Sequence, residues 1–258
     1  MKPWKVVERV LAPEGTEMTL VERDGEWVVR YDNKVLMSTR QHASEEALAT
    51  FAFREIEAPK SVLVGGMGLG YTARAALDHL PRDGKLVIAE YTPELIDWNR
   101  RHVGAFARRP LDDRRTKVHL GDAVALIYSS TALYDAILLD IDNGPAAMVH
   151  TANQRLYGAR GIAACHAALR PGGVLAVWSS DPDPPYLKRL ERGGFEASSK
   201  NIAARGKAGG VRHVVFIGVR RDLPAGATSP TATDLPKGRT RPRLPRGSVR
   251  GAARGRRR

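Results

Sequence analysis

The sequence predicts an α/β protein, a seven-stranded, mostly parallel sheet with helices on both faces, preceded by a small N-terminal β-hairpin region. Three observations lead there. From residue 61 onward, short apolar runs alternate with helical patterns, as in a parallel sheet buried on both faces. A glycine-rich segment, Gly65-Gly66-Met67-Gly68-Leu69-Gly70, follows the first of those runs and precedes the first of those helices. The first forty residues instead carry β-rich runs parted by Asp24-Gly25 and Asp32-Asn33, and Asp-Gly in that setting signals a hairpin. The combination is a Rossmann-like unit with a β-rich preface.

In chain order, strands are expected near 4–11, 17–23, 26–31 and 34–39. A helix is expected over 42–57, opened by Ser44 with Glu45 and Glu46, striped by Leu48, Phe51, Ala52 and Ile56, and ended by Pro59. SVLVG is a buried strand and YTARAALDHL a helix. KLVIAE is a strand, and PELIDWNRRHVGAF a helix with Pro93 in its first turn. TKVHL and YDAILLD are strands. A long helix fills roughly 152–169 and stops at Pro171-Gly172-Gly173. GVLAVWS is a strand and PPYLKRLERG a helix, and FEASSKNI with RHVVFIGVR forms a final antiparallel pair. The chain thus divides into three regions: residues 1–57, the hairpin region with its linking helix; 58–221, a nucleoside-binding domain; and 222–258, a basic tail.

Composition narrows the class. The chain has 258 residues, 43% hydrophobic and 27% charged, which suits a globular core. No apolar run is long enough to span a bilayer, and MKPWKVVERV lacks the apolar core of a secretory signal, so the expected place is the cytoplasm. The one cysteine, Cys165, lies in a small-residue helical pattern and is expected to be buried and inert. The net charge of +13 is uneven: residues 221–258 hold eleven Lys and Arg against Asp222 and Asp234, a net +9. Rich in Pro, Gly, Ser and Thr and poor in large apolar residues, the tail is expected to be disordered. It is either a solubilising extension or a nonspecific contact for nucleic-acid phosphates, and without aromatic residues it is not built for base stacking.

Four segments carry chemistry. The glycine loop lets the chain turn tightly and lets a ligand approach the backbone. Glu90 ends the next strand, where an acid can accept both ribose hydroxyls; the other reading is a solvated strand-end carboxylate. No GxxxxGK[ST] pattern is present, which disfavours an ATP P-loop. Asp122, with Ala123, is either an adenine acceptor or an ordinary helix N-cap. Asp140-Ile141-Asp142-Asn143-Gly144-Pro145 closes another strand. Alternation puts Asp140 and Asp142 on one side, where their proximity would raise one pKa and suit them to hold a cationic amine and take its proton. Local turn chemistry is the plainer alternative. The seven histidines show no HxxH or HExxH spacing, and no metal site is expected. There is no GxSxG elbow either.

In these blocks the sequence resembles the spermidine/spermine synthase (polyamine aminopropyltransferase) family, within the fold of the class I S-adenosylmethionine-dependent methyltransferases. The resemblance spans about residues 17–220 and rests on VLVGGMGLG, VIAEYTPELIDWNR, HLGDA, YDAILLDIDNGP and LYGARGIAACHAALRPGGVLAVWS. It implies S-adenosylmethionine or its decarboxylated form as co-substrate. Gly65, Gly66, Gly68 and Gly70 would then surround its methionine-derived part, Glu90 the ribose, and Asp122 and Ala123 the adenine. It implies Asp140 facing the amine nucleophile, with Asp142 as second acid, Asn143 and Tyr157 on the acceptor side, and a homodimer. The sequence departs from the family in three places. Gly68 stands where the family carries an Asp, the helix entry reads VLMSTRQHASEEALAT, and the second acid follows the first by two residues rather than three.

The expected activity is transfer of an aminopropyl or related alkyl group to an amine. Methyl transfer from intact S-adenosylmethionine to a small molecule is the alternative. A catalytically inactive nucleoside-binding or nucleic-acid-associated protein is the third reading.

Overall fold

The structure is a computed structural model, and residues 2–13, 15–141, 145 and 154–221 are described. Four N-terminal strands, β1 (Lys5–Leu11), β2 (Glu17–Arg23), β3 (Glu26–Tyr31) and β4 (Lys34–Ser38), form an antiparallel sheet in the order β1-β2-β3-β4. Both of the tight turns joining β2 to β3 and β3 to β4 have positive φ at each central residue: 48° and 77° at Asp24 and Gly25, 48° and 59° at Asp32 and Asn33. That backbone matches the twist of the paired strands, which is why these dipeptides mark hairpins.

The helix α1 (Ala43–Ala52) leads to β5 (Ser61–Gly65), α2 (Tyr71–His79), β6 (Lys85–Glu90), α3 (Pro93–Trp98), β7 (Thr116–Leu120), α4 (Ala123–Tyr128) and β8 (Tyr134–Leu139). Then come α5 (Gln154–Tyr157), α6 (Ala159–Ala168), β9 (Leu169–Ser179), α7 (Pro184–Arg192), β10 (Phe195–Ala203) and β11 (Arg212–Arg220). The large sheet runs β10-β11-β9-β8-β5-β6-β7. Its pairs are parallel except those of β11, which is antiparallel to both neighbours. The chain leaves β5 toward β6 and β7, then returns to place β8 on the other side of β5. The crevice beyond the C-terminal ends of β5 and β8 is thus a topological switch point, where such sheets bind ligands.

Alternate residues of the central strands feed two cores. Ile137, Leu139, Leu175 and Val177 face α4, α6 and α7, with the buried Cys165 among them. Val62, Val64, Ala136 and Leu138 face α1 and α2. A third cluster ties the N-terminal sheet to the large sheet's helices α2 and α3: Met18, Leu20 and Val29 pack on Leu69, Tyr71, Leu95 and Trp98. Glu8 strengthens that seam. Its carboxylate accepts from Trp98 Nε1 at 2.9 Å and from the Arg101 guanidinium, which together with His102 hold its pKa down at about 2.

Four expectations need correction. Helix α1 ends at Ala52, short of Ile56; its N-cap is His42, and the Ser44 hydroxyl is engaged with the Glu45 side chain instead. The helix expected over PELIDWNRRHVGAF is α-helical only to Trp98; it becomes a π turn over Asn99–Val103 and a 3₁₀ turn over Gly104–Ala107. The long helix near 152–169 is two helices broken at Gly158, whose ψ of 172° is extended. Strand β9 begins at Leu169 and runs through Pro171-Gly172-Gly173, which were expected only to stop a helix. No helix among the described residues is long and apolar enough to cross a membrane. The tail expectation, residues 222–258, lies outside the described residues.

Candidate active site

Gly65 closes β5 and the loop after it sits against the end of β8. The Asp140 amide donates to the Gly65 carbonyl at 2.9 Å, and the Gly66 amide donates to the Ala89 carbonyl at 2.8 Å. Gly66 has φ +91°, and a Cβ there would stand 2.4 Å from the Asp140 carbonyl oxygen, so this position requires glycine. Gly68 differs. Its φ is +48°, but a Cβ would meet only Met37 Sδ at 3.7 Å, leaving open space. Gly70 is the N-cap of α2.

Two side chains fix this loop. Glu90, 6% exposed, accepts the Met67 amide on Oε2 and the Thr92 amide on Oε1, each at 2.7 Å. Burial raises its pKa. The same residue lines the cavity. Asn99, 3% exposed, donates through Nδ2 to the Gly68 carbonyl and to the Leu95 carbonyl, both at 2.8 Å. Asn99 is the first residue of the π turn, and sequence periodicity gave no sign of that turn.

A cavity of about 780 Å³ runs along this edge, and the loop glycines Gly66, Gly68 and Gly70 contribute to its lining along with Glu90, Gly121, Asp122, Ala123 and Asp140. Asp122 caps α4, its Oδ1 accepting the Val124 amide at 2.7 Å, so the N-cap reading holds and the carboxylate also borders the cavity. Gly65 lies just behind, where an added Cβ would touch Leu139 and Ala123.

Where Asp140 joins the lining, the Thr72 hydroxyl donates to its Oδ2 at 2.6 Å. Asp140 lines the cavity, and desolvation of its carboxyl pushes its pKa up to about 6. The second acid here is Glu45, on the first turn of α1. Burial, and then the negative charge of Asp140, push its pKa up to about 7. Ser44 donates to Glu45 Oε2 at 2.6 Å, and His213 Nδ1 lies 2.9 Å from Ser44 Oγ. The expected partner, Asp142, lies outside the described residues, as does Asn143. Tyr157 does not line the cavity. It is 3% exposed in the core, edge-on to Tyr186, and its hydroxyl donates to the Ile141 carbonyl at 3.0 Å, so it meets the site through the segment after Asp140.

Glu45 was missed because it was read as part of a helix opening. The signal was present: it precedes Leu48, Ala49 and Ala52 by three, four and seven positions, on the stripe that faces inward. Thr72 and His213 had no such signal, since only the fold brings β11, α1 and α2 together. Among the described residues, no group of three or more His, Cys, Asp or Glu side chains is placed to share a metal ion.

Comparison with known proteins agrees with this geometry. Residues 41–188 match the spermine/spermidine synthase domain. The chain is similar to polyamine aminopropyltransferase 2 of Pseudomonas aeruginosa, 32% identical over 149 residues, or 55% of this chain and 40% of that protein. To the polyamine aminopropyltransferase of Nitrosomonas europaea it is 34% identical over 136 residues, or 51% and 39% of the two chains. The matched segments thus span about 40% of the length of these curated relatives. In three dimensions the chain is similar to spermidine synthase from Thermotoga maritima, with a TM-score of 0.68, 18% identity, and coverage of 86% and 74%. A spermidine synthase in complex with the transition-state analogue AdoDATO gives a TM-score of 0.70, 19% identity, and coverage of 86% and 75%.

Proposed function

The chain belongs to the spermine/spermidine synthase domain family, and from that premise we propose that it transfers the aminopropyl group of decarboxylated S-adenosylmethionine to a nitrogen of a di- or polyamine. The observation that carries this reading is one cavity lined by two kinds of group: the glycine loop with Glu90 and Asp122, suited to a nucleoside, and the acids Asp140 and Glu45, suited to a cationic amine.

The chemistry is a displacement. The acceptor ammonium gives up one proton, its nitrogen lone pair attacks the methylene next to the sulfonium, and the carbon–sulfur bond breaks with its electron pair going to sulfur. The thioether leaves neutral and needs no general acid. The residues must therefore hold the amine in line and accept one proton. Asp140 is the acceptor in this scheme: Thr72 fixes its orientation, and a pKa of about 6 lets it be ionised at neutral pH yet still take up a proton.

The open space at Gly68 favours a second reading, methyl transfer from intact S-adenosylmethionine, because no loop carboxylate there would repel the methionine carboxylate. The test is to incubate the protein with each donor and a panel of diamines and polyamines and to measure methylthioadenosine and S-adenosylhomocysteine. Methylthioadenosine with a lengthened amine supports the proposal; S-adenosylhomocysteine alone overturns it. A homodimer belongs to the same proposal, and sedimentation checks it. Residues 222–258 are assigned no part in the transfer.

A further inference from the structure

The proton given up at Asp140 needs a way out, and a hydrogen-bonded row begins at the neighbouring Glu45, whose carbonyl and the Asp140 carboxylate both lie within reach of the Thr72 hydroxyl, at 3.1 and 2.6 Å. Glu45 borders the same cavity as Asp140, and its Oε2 accepts from the Ser44 hydroxyl at 2.6 Å. Ser44 is fully buried, and the same hydroxyl oxygen lies 2.9 Å from His213 Nδ1. His213, on β11, is partly exposed and lines the same cavity, where it meets water. The serine oxygen can receive a hydrogen bond on one side while donating on the other, so a proton can pass along the row by reversal of its hydrogen bonds.

We propose that Glu45, Ser44 and His213 form a proton relay that carries the proton shed by the acceptor amine from Asp140 to solvent. The inference rests on the aminopropyl-transfer reading. In each cycle one ammonium N–H bond breaks and Asp140 takes the proton. Glu45 receives it, and the Ser44 hydroxyl takes a proton from Glu45 as it gives its own to His213 Nδ1. His213 then releases one to water. No oxidant or further reactant is needed. Ser44 and Glu45 touch neither reacting atom in this scheme, so they act as positioning and relay groups.

Burial lowers the His213 pKa, against a smaller opposing effect of Asp181, so the imidazole readily passes on to water a proton that reaches it. Trp178 stands edge-on to it, ring centroids 4.7 Å apart. On α1, His42 is paired with Glu46 at 3.0 Å and stacked on Tyr71 of α2 at 4.0 Å, and Glu46 adds a further negative charge beside Glu45. Tyr71, pushed up to about 12 by burial, stays protonated throughout the working range.

The relay is tested on the full chain in two ways. In the ligand-free protein, ¹⁵N NMR of the histidine side chains reads the His213 titration. Its midpoint is expected to shift by about half a unit or more in Glu45→Gln, and Ser44→Ala is expected to abolish that dependence. An unchanged His213 titration in Glu45→Gln overturns the relay without reference to catalysis. In turnover with decarboxylated S-adenosylmethionine and a diamine, Ser44→Ala and His213→Gln are each expected to lower kcat about tenfold with KM nearly unchanged. Millimolar imidazole is expected to restore much of the loss. Gln can still bond Ser44 but cannot take up a proton, so a defect in His213→Gln with an unaltered melting temperature separates proton transfer from folding. A loss that imidazole does not rescue, or no loss, overturns the relay. If the wild-type chain transfers nothing, the proposed function falls and takes the relay's role with it; the NMR arm still reports whether the three groups are linked.

Discussion

Asp140, at the end of β8, and Glu45, on the first turn of α1, border a single cavity, and the charge on the first raises the pKa of the second. Two acids so placed bind and release protons as a unit. Activity in kcat/KM is expected to rise with pH through the range set by about 6 and about 7. Glu45→Gln is expected to leave a single step near 6, because the Asp140 shift comes from desolvation. Asp140→Asn is expected to remove turnover and, by NMR of the ligand-free protein, to move the Glu45 titration to lower pH. Both raised values also make the ligand-free fold less stable as pH climbs, since the stabilising contribution of these groups is complete below their unfolded pKa and lost through the folded one. Urea melts at pH 5 and pH 8 should differ by about 1–3 kcal/mol more in the wild type than in Glu45→Gln.

Glu90→Gln is expected to weaken donor binding about 10- to 100-fold, the worth of a charge-assisted hydrogen bond or two. The carboxylate bonds two backbone amides, and a glutamine can satisfy only one of them. Calorimetry with decarboxylated S-adenosylmethionine and with methylthioadenosine is the check. Equal affinity in wild type and variant would remove Glu90 from the ribose.

The glycine loop should respond unequally. Gly66→Ala puts a Cβ against the Asp140 carbonyl at a positive φ and is expected to cost about 2–4 kcal/mol. Gly68→Asp enters open space at a φ that Asp tolerates, and is expected to cost under about 1 kcal/mol. Its carboxylate should also raise the preference for the decarboxylated donor over the intact one by about tenfold. Chemical denaturation and competitive binding measure the two effects.

Asn99→Ala frees the Gly68 carbonyl and is expected to lower stability by about 1–3 kcal/mol and donor affinity with it. Loss of stability with unchanged affinity would make Asn99 a core residue only.

The glycine-loop side of the cavity was legible in the sequence because it is local. Gly66, Glu90 and Asp122 lie at or just beyond the ends of β5, β6 and β7, and the fold sends all three strand ends to one edge. The hairpins were legible for the same reason, at Asp24-Gly25 and Asp32-Asn33. The acceptor side was only partly legible. Asp140 ends a strand, but Glu45, Thr72 and His213 meet it from three other elements, and only tertiary packing sets their distances. The π turn was hidden because its hydrophobic pattern passes for one α-helix. Leu95, Trp98 and Val103 are all buried on the side that packs against the N-terminal sheet.

That π turn is a dislocation in the helical lattice, one residue inserted into an otherwise regular spiral. The Gly104 amide reaches back five residues to the Asn99 carbonyl, and a Cβ on Gly104 would come within 2.3 Å of that oxygen. An insertion of this kind is reversible in evolution by a single codon. Deleting one residue between Asn99 and Gly104 would restore the α period and rotate the downstream turn by about 100°. Asn99, which holds the Gly68 carbonyl, stands at the first residue of this dislocation, so a length change of one residue, with no substitution in the cavity wall, would repack the turn that backs it.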